Sequence, residues 1–265
     1  MTSFLERYLR GECEQVWEEL LGLGAQVRKE PLHSDALAVA RETMRRVRRN
    51  CEILIERLER IGYIFGYSWA RPALVEDIDK QPPPLGTPLP DIQDRLDALE
   101  QVGALLPLSL RAFYEIVGSV NFVGVSTSAM AAFEYGEDAV ASDEDADLSE
   151  LVDEDIDPLF IAAFDKKFTP AEYRSWINEE EGAYTVITTY DTLSKYFRSD
   201  VEALFMEVPN PNADAPMLHG DGTGINLVAY LRYCLQHGGL PGSDGVYEPL
   251  GEKTLAYVTK DLLPI

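Results

Sequence analysis

Apolar residues recur every three or four positions along the first quarter of the chain, a spacing that predicts amphipathic helices. The longest such pattern forms a heptad seam, made by Leu37, Ala40, Met44, Val47, Cys51, Leu54, Leu58 and Ile61. Ser34 is suited to cap this helix, Asp35 favours its positive end, and Gly62 is suited to close it. A looser pattern from Phe4 to Val27 predicts an earlier helical segment. We therefore expect residues 1–68 to form a helical hairpin packed on the main domain.

The segment Leu105–Gly118 predicts a helix together with both of its ends. Pro107 fits a first turn, where its missing N–H is not needed, and Gly118 fits a C-terminal cap. Between them one apolar face is formed by Leu110, Phe113, Tyr114 and Val117. This pattern is typical of a buried core helix.

The remaining elements are predicted from composition and spacing. Residues 85–103 suggest a short helix with Asp91 as its cap, and prolines make 69–90 an extended connector. Further helices are expected at 171–180 and 225–237, and strands at 120–125, 158–164, 183–188 and, more weakly, 205–208. Because these elements do not alternate regularly, we expect an α+β fold in residues 91–265, with a mixed or antiparallel sheet flanked by helices.

Charge is distributed unevenly along the chain. The net charge is −23, but residues 1–62 contain eleven basic and eleven acidic residues, so the acidity belongs to the later part. Residues 134–157 hold twelve acidic residues and no basic one, which is typical of a solvated loop. Such a field favours a cationic protein partner and disfavours nucleic acid and anionic membranes. We expect several arginines of 41–49 to pair with the protein's own carboxylates.

The predicted partner-binding residues are ten of the twelve acidic side chains of this segment and three aromatic side chains that could act as anchors. They are Glu134, Glu137, Asp138, Asp143, Glu144, Asp145, Asp147, Asp153, Glu154, Asp155, Trp69, Tyr135 and Trp176. Asp143, Asp145, Asp147 and Glu154 also match part of a calcium-loop template, but Leu148 stands where that loop needs glycine. We expect no metal and no cofactor.

No linear motif of an enzyme is apparent. Cys13, Cys51 and Cys234 are widely separated in apolar patterns, which indicates buried thiols in a reducing compartment. Gly220–Gly224 is glycine-rich but lacks the lysine of a phosphate loop, so it is interpreted as a turn that joins its flanking segments. Neither a signal peptide nor a long apolar run is present, and we expect a cytoplasmic protein.

Three blocks of residues resemble bacterial members of the SUKH superfamily, which includes the fungal cell-wall assembly regulator family and many immunity proteins of toxin systems. The blocks run from Arg41 to Tyr63, from Gly103 to Gly124 and from Asn226 to Gly242. The middle block carries the hallmark, through Leu106-Pro107, Phe113-Tyr114 and Gly118. The other two look like a lineage-specific version with an added helical hairpin.

The resemblance implies an α+β domain that binds proteins and performs no catalysis. It implies most often the neutralisation of a toxin, commonly a nuclease or deaminase, by covering its active site. The first hypothesis is therefore an immunity protein that engages a basic toxin domain through an acidic surface. Two alternatives remain open: a regulatory or scaffold protein with an endogenous partner, and a hydrolase with an unrecognised carboxylate site.

Overall fold

The computed structural model describes residues 2–66, 83–135, 156–179, 183–190, 203–242 and 249–265. The chain begins with a helical segment: α1 (Phe4–Leu9), α2 (Cys13–Gly22), a 3-10 helix (Gly24–Arg28) and α3 (Leu32–Arg60). Helix α3 is the longest of the described helices, and its predicted seam is confirmed. From Ala40 to Ile61 every seam residue is buried, while Leu37 is partly buried.

The start of α3 differs from the prediction that Ser34 caps it. The helix begins at Leu32, and the Ser34 hydroxyl donates to the Glu30 carboxylate. The Asp35 carboxylate accepts the backbone N–H groups of Phe4 and Leu5, at 2.6 and 3.1 Å. Asp35 therefore caps the distant helix α1, while it also lies in the first turn of its own helix.

Helix α5 (Leu108–Ile116) follows α4 (Ile92–Gln101) and forms the centre of the core with α3. Phe113 and Tyr114 are fully or almost fully buried. Gly118 ends the helix as predicted, with φ +90°, a backbone conformation that L side chains rarely adopt. A side chain at Gly118 would also come within 2.7 Å of the Pro88 nitrogen. The turn therefore requires glycine for two independent reasons.

The strands are shorter than predicted in the middle of the chain. Residues 120–125 divide into β2 (Val120–Asn121), which pairs with β4 (Phe160–Ile161), and β3 (Gly124–Val125), which pairs with β1 (Ile64–Phe65). The predicted helix at 85–103 is wrong over its first residues, because Leu85 forms an antiparallel bridge to Val120 instead. The prolines of 83–90 accompany this extended backbone, while residues 67–82 of the predicted connector lie outside the described residues.

A four-stranded antiparallel sheet lies in the second half of the chain, in the order β5-β6-β7-β8. Its strands are β5 (Tyr184–Tyr190), β6 (Ala203–Val208), β7 (Pro216–Leu218) and β8 (Gly224–Asn226). One face is covered by the core and carries Val186, Leu204, Met206, Val208 and Met217. The glycine-rich segment 220–224 turns between β7 and β8, as interpreted from the sequence.

Four more helices complete the described chain: α6 (Ser128–Tyr135), α7 (Pro170–Glu179), α8 (Leu227–Gln236) and α9 (Glu252–Val258). The sequence predicted α7 and α8 within one or two residues, but α6 and α9 were missed. Buried apolar side chains from Tyr8 to Ile265 join in one core cluster. The protein therefore has an α+β fold with antiparallel sheets and an N-terminal helical segment, as expected.

Candidate partner-binding surface

Twelve of the fourteen arginines among the described residues are used within the fold. On α3, Arg45 and Arg46 reach Glu42, and Arg49 reaches Glu52, each at 3.2 Å. Arg48 and Arg57 each donate to three backbone carbonyls, those of Arg48 including Ile116 and Val117 at the end of α5. Cations at helix C-terminal carbonyls complement the helix dipole. The prediction that arginines of 41–49 pair with the protein's own carboxylates is confirmed.

A chain of ion pairs joins α3, α4, α5 and the 3-10 helix. The Glu115 carboxylate, 2% exposed, lies between Arg41 at 2.7 Å and Arg111 at 3.0 Å. Arg111 also contacts Glu100, which in turn binds Arg28. Burial lowers the pKa of Arg28. Because each charge in this network has an opposite neighbour, the network holds its elements together and leaves little positive charge for a partner.

Most of the predicted partner-binding residues lie outside the described residues. Those not described are Glu137, Asp138, Asp143, Glu144, Asp145, Asp147, Asp153, Glu154, Asp155 and Trp69. The calcium-loop template at 143–154 falls there as well. Tyr135 is the last residue of α6, and its side chain is not described. Glu134 and Trp176 are the two predicted residues whose side-chain contacts the structure describes.

The Glu134 carboxylate caps helix α9. It accepts the backbone N–H groups of Lys253 and Thr254, at 3.3 and 2.7 Å, and the Thr254 hydroxyl at 2.6 Å. These hydrogen bonds, the Thr254 hydroxyl first, hold the pKa of Glu134 below its usual value. The first carboxylate of the acidic segment thus stabilises a helix of the same chain. A contribution to partner binding stays a prediction.

Trp176 lies half-buried on α7 at the end of a run of aromatic rings. Its ring meets Tyr184 edge-on with centroids 5.5 Å apart, and Tyr184 stacks on Phe168 at 4.7 Å. The run continues inward through Phe164 to Tyr114, where the centroids are 5.3 Å apart. Trp176 therefore packs on the protein's own core on one side. Its use as a partner anchor stays a prediction.

A cleft lies between α2 and α8 on the described surface. It comprises two adjoining cavities of about 530 and 290 Å³, both lined by Glu14 and Arg232. Arg232 Nε donates to the Ile265 carbonyl at 2.9 Å, and its distance to the Glu14 carboxylate is 3.9 Å. The larger cavity is walled on one side by residues 262–265. Neither Glu14 nor Arg232 was singled out by sequence reasoning, because their proximity depends on tertiary packing alone.

Asp214 lies at the floor of the smaller cavity and is 2% exposed. Its carboxylate accepts the Ser109 hydroxyl at 2.5 Å and the backbone N–H groups of Ala215 and Val228, each at 3.0 Å. Burial raises its pKa to about 6, although the three hydrogen bonds oppose the change. Because these bonds tie together the start of α5, the start of β7 and the start of α8, this carboxylate has a structural role.

Within the described residues, side chains of the types used in catalysis or metal binding do not converge on a common site. No group of three or more His, Cys, Asp or Glu residues in that part of the chain is placed to hold a metal ion. All three cysteines are buried as thiols, and burial raises the pKa of Cys51 to about 12. Asp221, next to His219, accepts the Thr223 hydroxyl at 2.7 Å. Among the described helices, none is long and apolar enough to cross a membrane.

Comparisons with protein-family models, with curated proteins and with solved structures gave no match for this chain. The resemblance to the SUKH superfamily therefore stays a prediction. A proposal about function depends on the charge, burial and contacts of the described residues.

Proposed function

We propose that the chain is a cytoplasmic, non-enzymatic binding module for a cationic protein. Its task is the neutralisation of a toxin domain of nuclease or deaminase type. The observation that carries the proposal is the internal use of positive charge combined with a net charge of −23. Of the described residues, twelve arginines donate to carboxylates or carbonyls of the same chain: Arg7, Arg28, Arg41, Arg45, Arg46, Arg48, Arg49, Arg57, Arg60, Arg95, Arg111 and Arg232.

This arrangement determines the sign of the electrostatic potential that the protein presents to solvent. Arginines that donate to internal acceptors present little positive potential to solvent, whereas the excess carboxylates have no cation within the protein to neutralise them. A macromolecule with such a field attracts cationic partners and accelerates their association, by up to a few orders of magnitude at low salt. Domains that bind or cut nucleic acid are cationic on the surface that meets phosphate. Such a surface is the natural complement of this one.

The placement of the three blocks that resemble the SUKH superfamily also supports the proposal. The blocks lie mainly on α3, on α5 with β2 and β3, and on α8. These three helices contact one another pairwise in the core. Residues that are far apart in the chain are thus joined in one structural unit, as expected if the hallmark block and the two lineage-specific blocks belong to a single domain.

Co-expression tests the proposal. Each effector encoded beside this gene is induced in a sensitive host, with and without the chain, and surviving colonies are counted. We expect rescue from at least one effector, and direct binding to its isolated toxic domain that weakens as salt is raised. Failure with every adjacent effector would overturn the immunity activity.

A charge variant separates attraction from other contributions. Nine carboxylates from Glu137 to Asp155 were predicted to bind the partner, and in this variant each is replaced by the corresponding amide. The replacement removes nine negative charges without changing side-chain size. We expect slower association and a weaker salt dependence for this variant. As a control, the seven exposed carboxylates of α1, α2 and α3 are replaced in the same way, and the two variants are compared per charge removed. These carboxylates are Glu6, Glu14, Glu18, Glu19, Glu52, Glu56 and Glu59. Equal effects in both variants would contradict a role specific to the acidic segment.

A further inference from the structure

The four-stranded sheet has one face that the core does not cover. Along β5 exposure alternates: Thr185 and Ile187 are exposed, while Val186 between them is buried. Along β6 the same alternation places Glu207 on the exposed side and Phe205 on that side as a partly exposed residue. Because successive side chains of a strand point to opposite faces, Thr185, Ile187, Phe205 and Glu207 share the outward face.

The strand register aligns three apolar side chains in a row across this face. Ile187 on β5 is level with Phe205 on β6, and Phe205 is level with Leu218 on β7. Neighbouring strands lie about 4.8 Å apart, so the row extends over roughly 10 Å. Ile187 is 46% exposed, and both Phe205 and Leu218 are partly exposed. This "apolar row" of Ile187, Phe205 and Leu218 is large enough to receive one or two side chains of another protein.

Among the described residues of the sheet, the surroundings of the apolar row carry negative charge without positive charge; Lys195 and Arg198, in the segment between β5 and β6, lie outside the described residues. Glu207 is level with the exposed Thr185 in the adjacent row, and Asp221 lies in the turn between β7 and β8. Residues 183–190 and 203–226 contain no lysine or arginine. A second copy of the chain, with its net charge of −23, would be repelled from such a face. A cationic chain is attracted to it.

We infer that this outward face is the docking surface for the cationic protein partner, which places an aliphatic or aromatic side chain on the apolar row and a lysine or arginine beside Glu207. The inference rests on the proposed function and assigns it a location. Apolar and aromatic contacts at the centre of an interface contribute most of the affinity, while charges at the rim guide the encounter. The row and its rim match that division.

A defined probe tests the location before any natural partner is known. The probe is the labelled hexapeptide Lys-Trp-Lys-Lys-Trp-Lys. Two comparison peptides accompany it: one with serine in place of tryptophan, and one with glutamate in place of lysine. Peptide binding is followed by the NMR signals of the protein's own backbone amides and side-chain methyl groups. We expect saturable shifts that are largest at Ile187, Phe205 and Leu218 for the first peptide, and at least tenfold weaker binding of the other two.

A matched pair of variants sharpens the test. Ile187→Lys puts a positive charge on the apolar row, and Ile177→Lys puts the same charge on α7 at a residue 51% exposed. Since both side chains are exposed, both variants are expected to melt like the wild-type protein. We expect Ile187→Lys to weaken probe binding and effector neutralisation at least tenfold, and Ile177→Lys to leave both within twofold. Shifts centred elsewhere, or equal effects of the two variants, would overturn the docking surface.

The outcomes distinguish this inference from the proposed function. If the wild-type chain rescues cells and Ile187→Lys rescues them equally well, the docking surface is wrong while the binding function stands. If no adjacent effector is neutralised and the peptide still maps to the apolar row, the immunity activity fails and the docking surface stands. If the cationic peptide shows no saturable binding at low salt, the docking surface is overturned, whatever the rescue assay shows.

Discussion

Helix α3 and the four-stranded sheet differ in what their outward-facing side chains contact. On α3 the seam is buried, and the polar side is tied to the rest of the protein by arginines that reach carboxylates and helix ends. On the sheet one face is buried, while the other leaves Ile187, Phe205 and Leu218 in a row with no described ion pair beside it. Side chains that contact the rest of the protein stabilise the fold, whereas side chains that are exposed to solvent are available to contact a partner.

The largest effect on stability is expected in the core between α3 and α5. Phe113→Ala should lower the free energy of unfolding by about 3–5 kcal/mol, because it leaves a cavity at a fully buried position. Chemical denaturation measures this change. Ile177→Ala, at an exposed position, should stay within about 0.5 kcal/mol. A small loss for Phe113→Ala would show that α5 is not the centre of the core.

The ion-pair network tests whether the polar side of α3 is stabilising. Glu115→Ala removes the carboxylate between Arg41 and Arg111 and leaves a largely buried guanidinium with fewer partners. We expect a loss of roughly 3 kcal/mol in the free energy of unfolding. Glu59→Ala on the exposed side of α3 serves as control and should cost little. If both variants unfold alike, the network would be no more than a surface feature.

The buried Asp214 links the sheet to α8 and predicts a dependence on pH. Its pKa is raised to about 6, above the usual 3.8, so the folded state binds a proton that the unfolded state does not between these values. Its contribution to stability therefore rises as pH falls from 7.5 to 5, by about 1 kcal/mol. Measured by denaturation, the wild-type protein should gain that amount relative to Asp214→Asn over this range. A constant difference between the two proteins would show that Asp214 does not titrate there.

The cap on α9 tests whether Glu134 is structural. Glu134→Gln weakens the hydrogen bonds to Lys253 and Thr254 and should cost about 1 kcal/mol. Because the folded pKa of Glu134 is lowered, this contribution is present above the unfolded pKa and is lost as pH falls through the folded one. Thermal melts at neutral and acidic pH measure both effects. An unchanged melting temperature would show that Glu134 does not stabilise α9, and its predicted role in partner binding would then be its remaining one.

The smallest effect on stability is expected on the outward face of the sheet. Ile187→Lys should change the free energy of unfolding by less than about 0.5 kcal/mol, because the side chain is 46% exposed. The same substitution is expected to impair binding strongly. Parallel denaturation and binding measurements would reveal this dissociation. A large loss of stability would mean that the face is held by internal contacts.

Local sequence patterns correctly predicted those elements that are determined by residues close together in the chain. The seam of α3, the face of α5 and the turn at Gly118 each follow from residues that are near one another in the chain. The division of 120–125 into two strands was not predictable in this way, since it depends on partners at 64–65 and 160–161. Helix α9 was missed for the same reason, because its cap comes from Glu134, far away in the chain.

The candidate site was predictable in its charge but not in its geometry. Counting acidic and basic residues indicates a cationic partner without any structure. The apolar row was hidden, because Ile187, Phe205 and Leu218 become neighbours only through the pairing of three strands. The predicted strands at 183–188 and 205–208 did not indicate which face the core would cover. The cleft beside Arg232 was equally invisible, since α2 and α8 lie far apart in the chain.

The most direct test of the central claim, recognition of a cationic partner, is the affinity of the labelled Lys-Trp hexapeptide for the whole chain at about 20 mM and about 200 mM salt. We predict saturable binding at the lower concentration, a marked loss at the higher one, and much weaker binding of the glutamate-containing peptide at both. Equal affinity for the two peptides, or affinity independent of salt, would contradict the account.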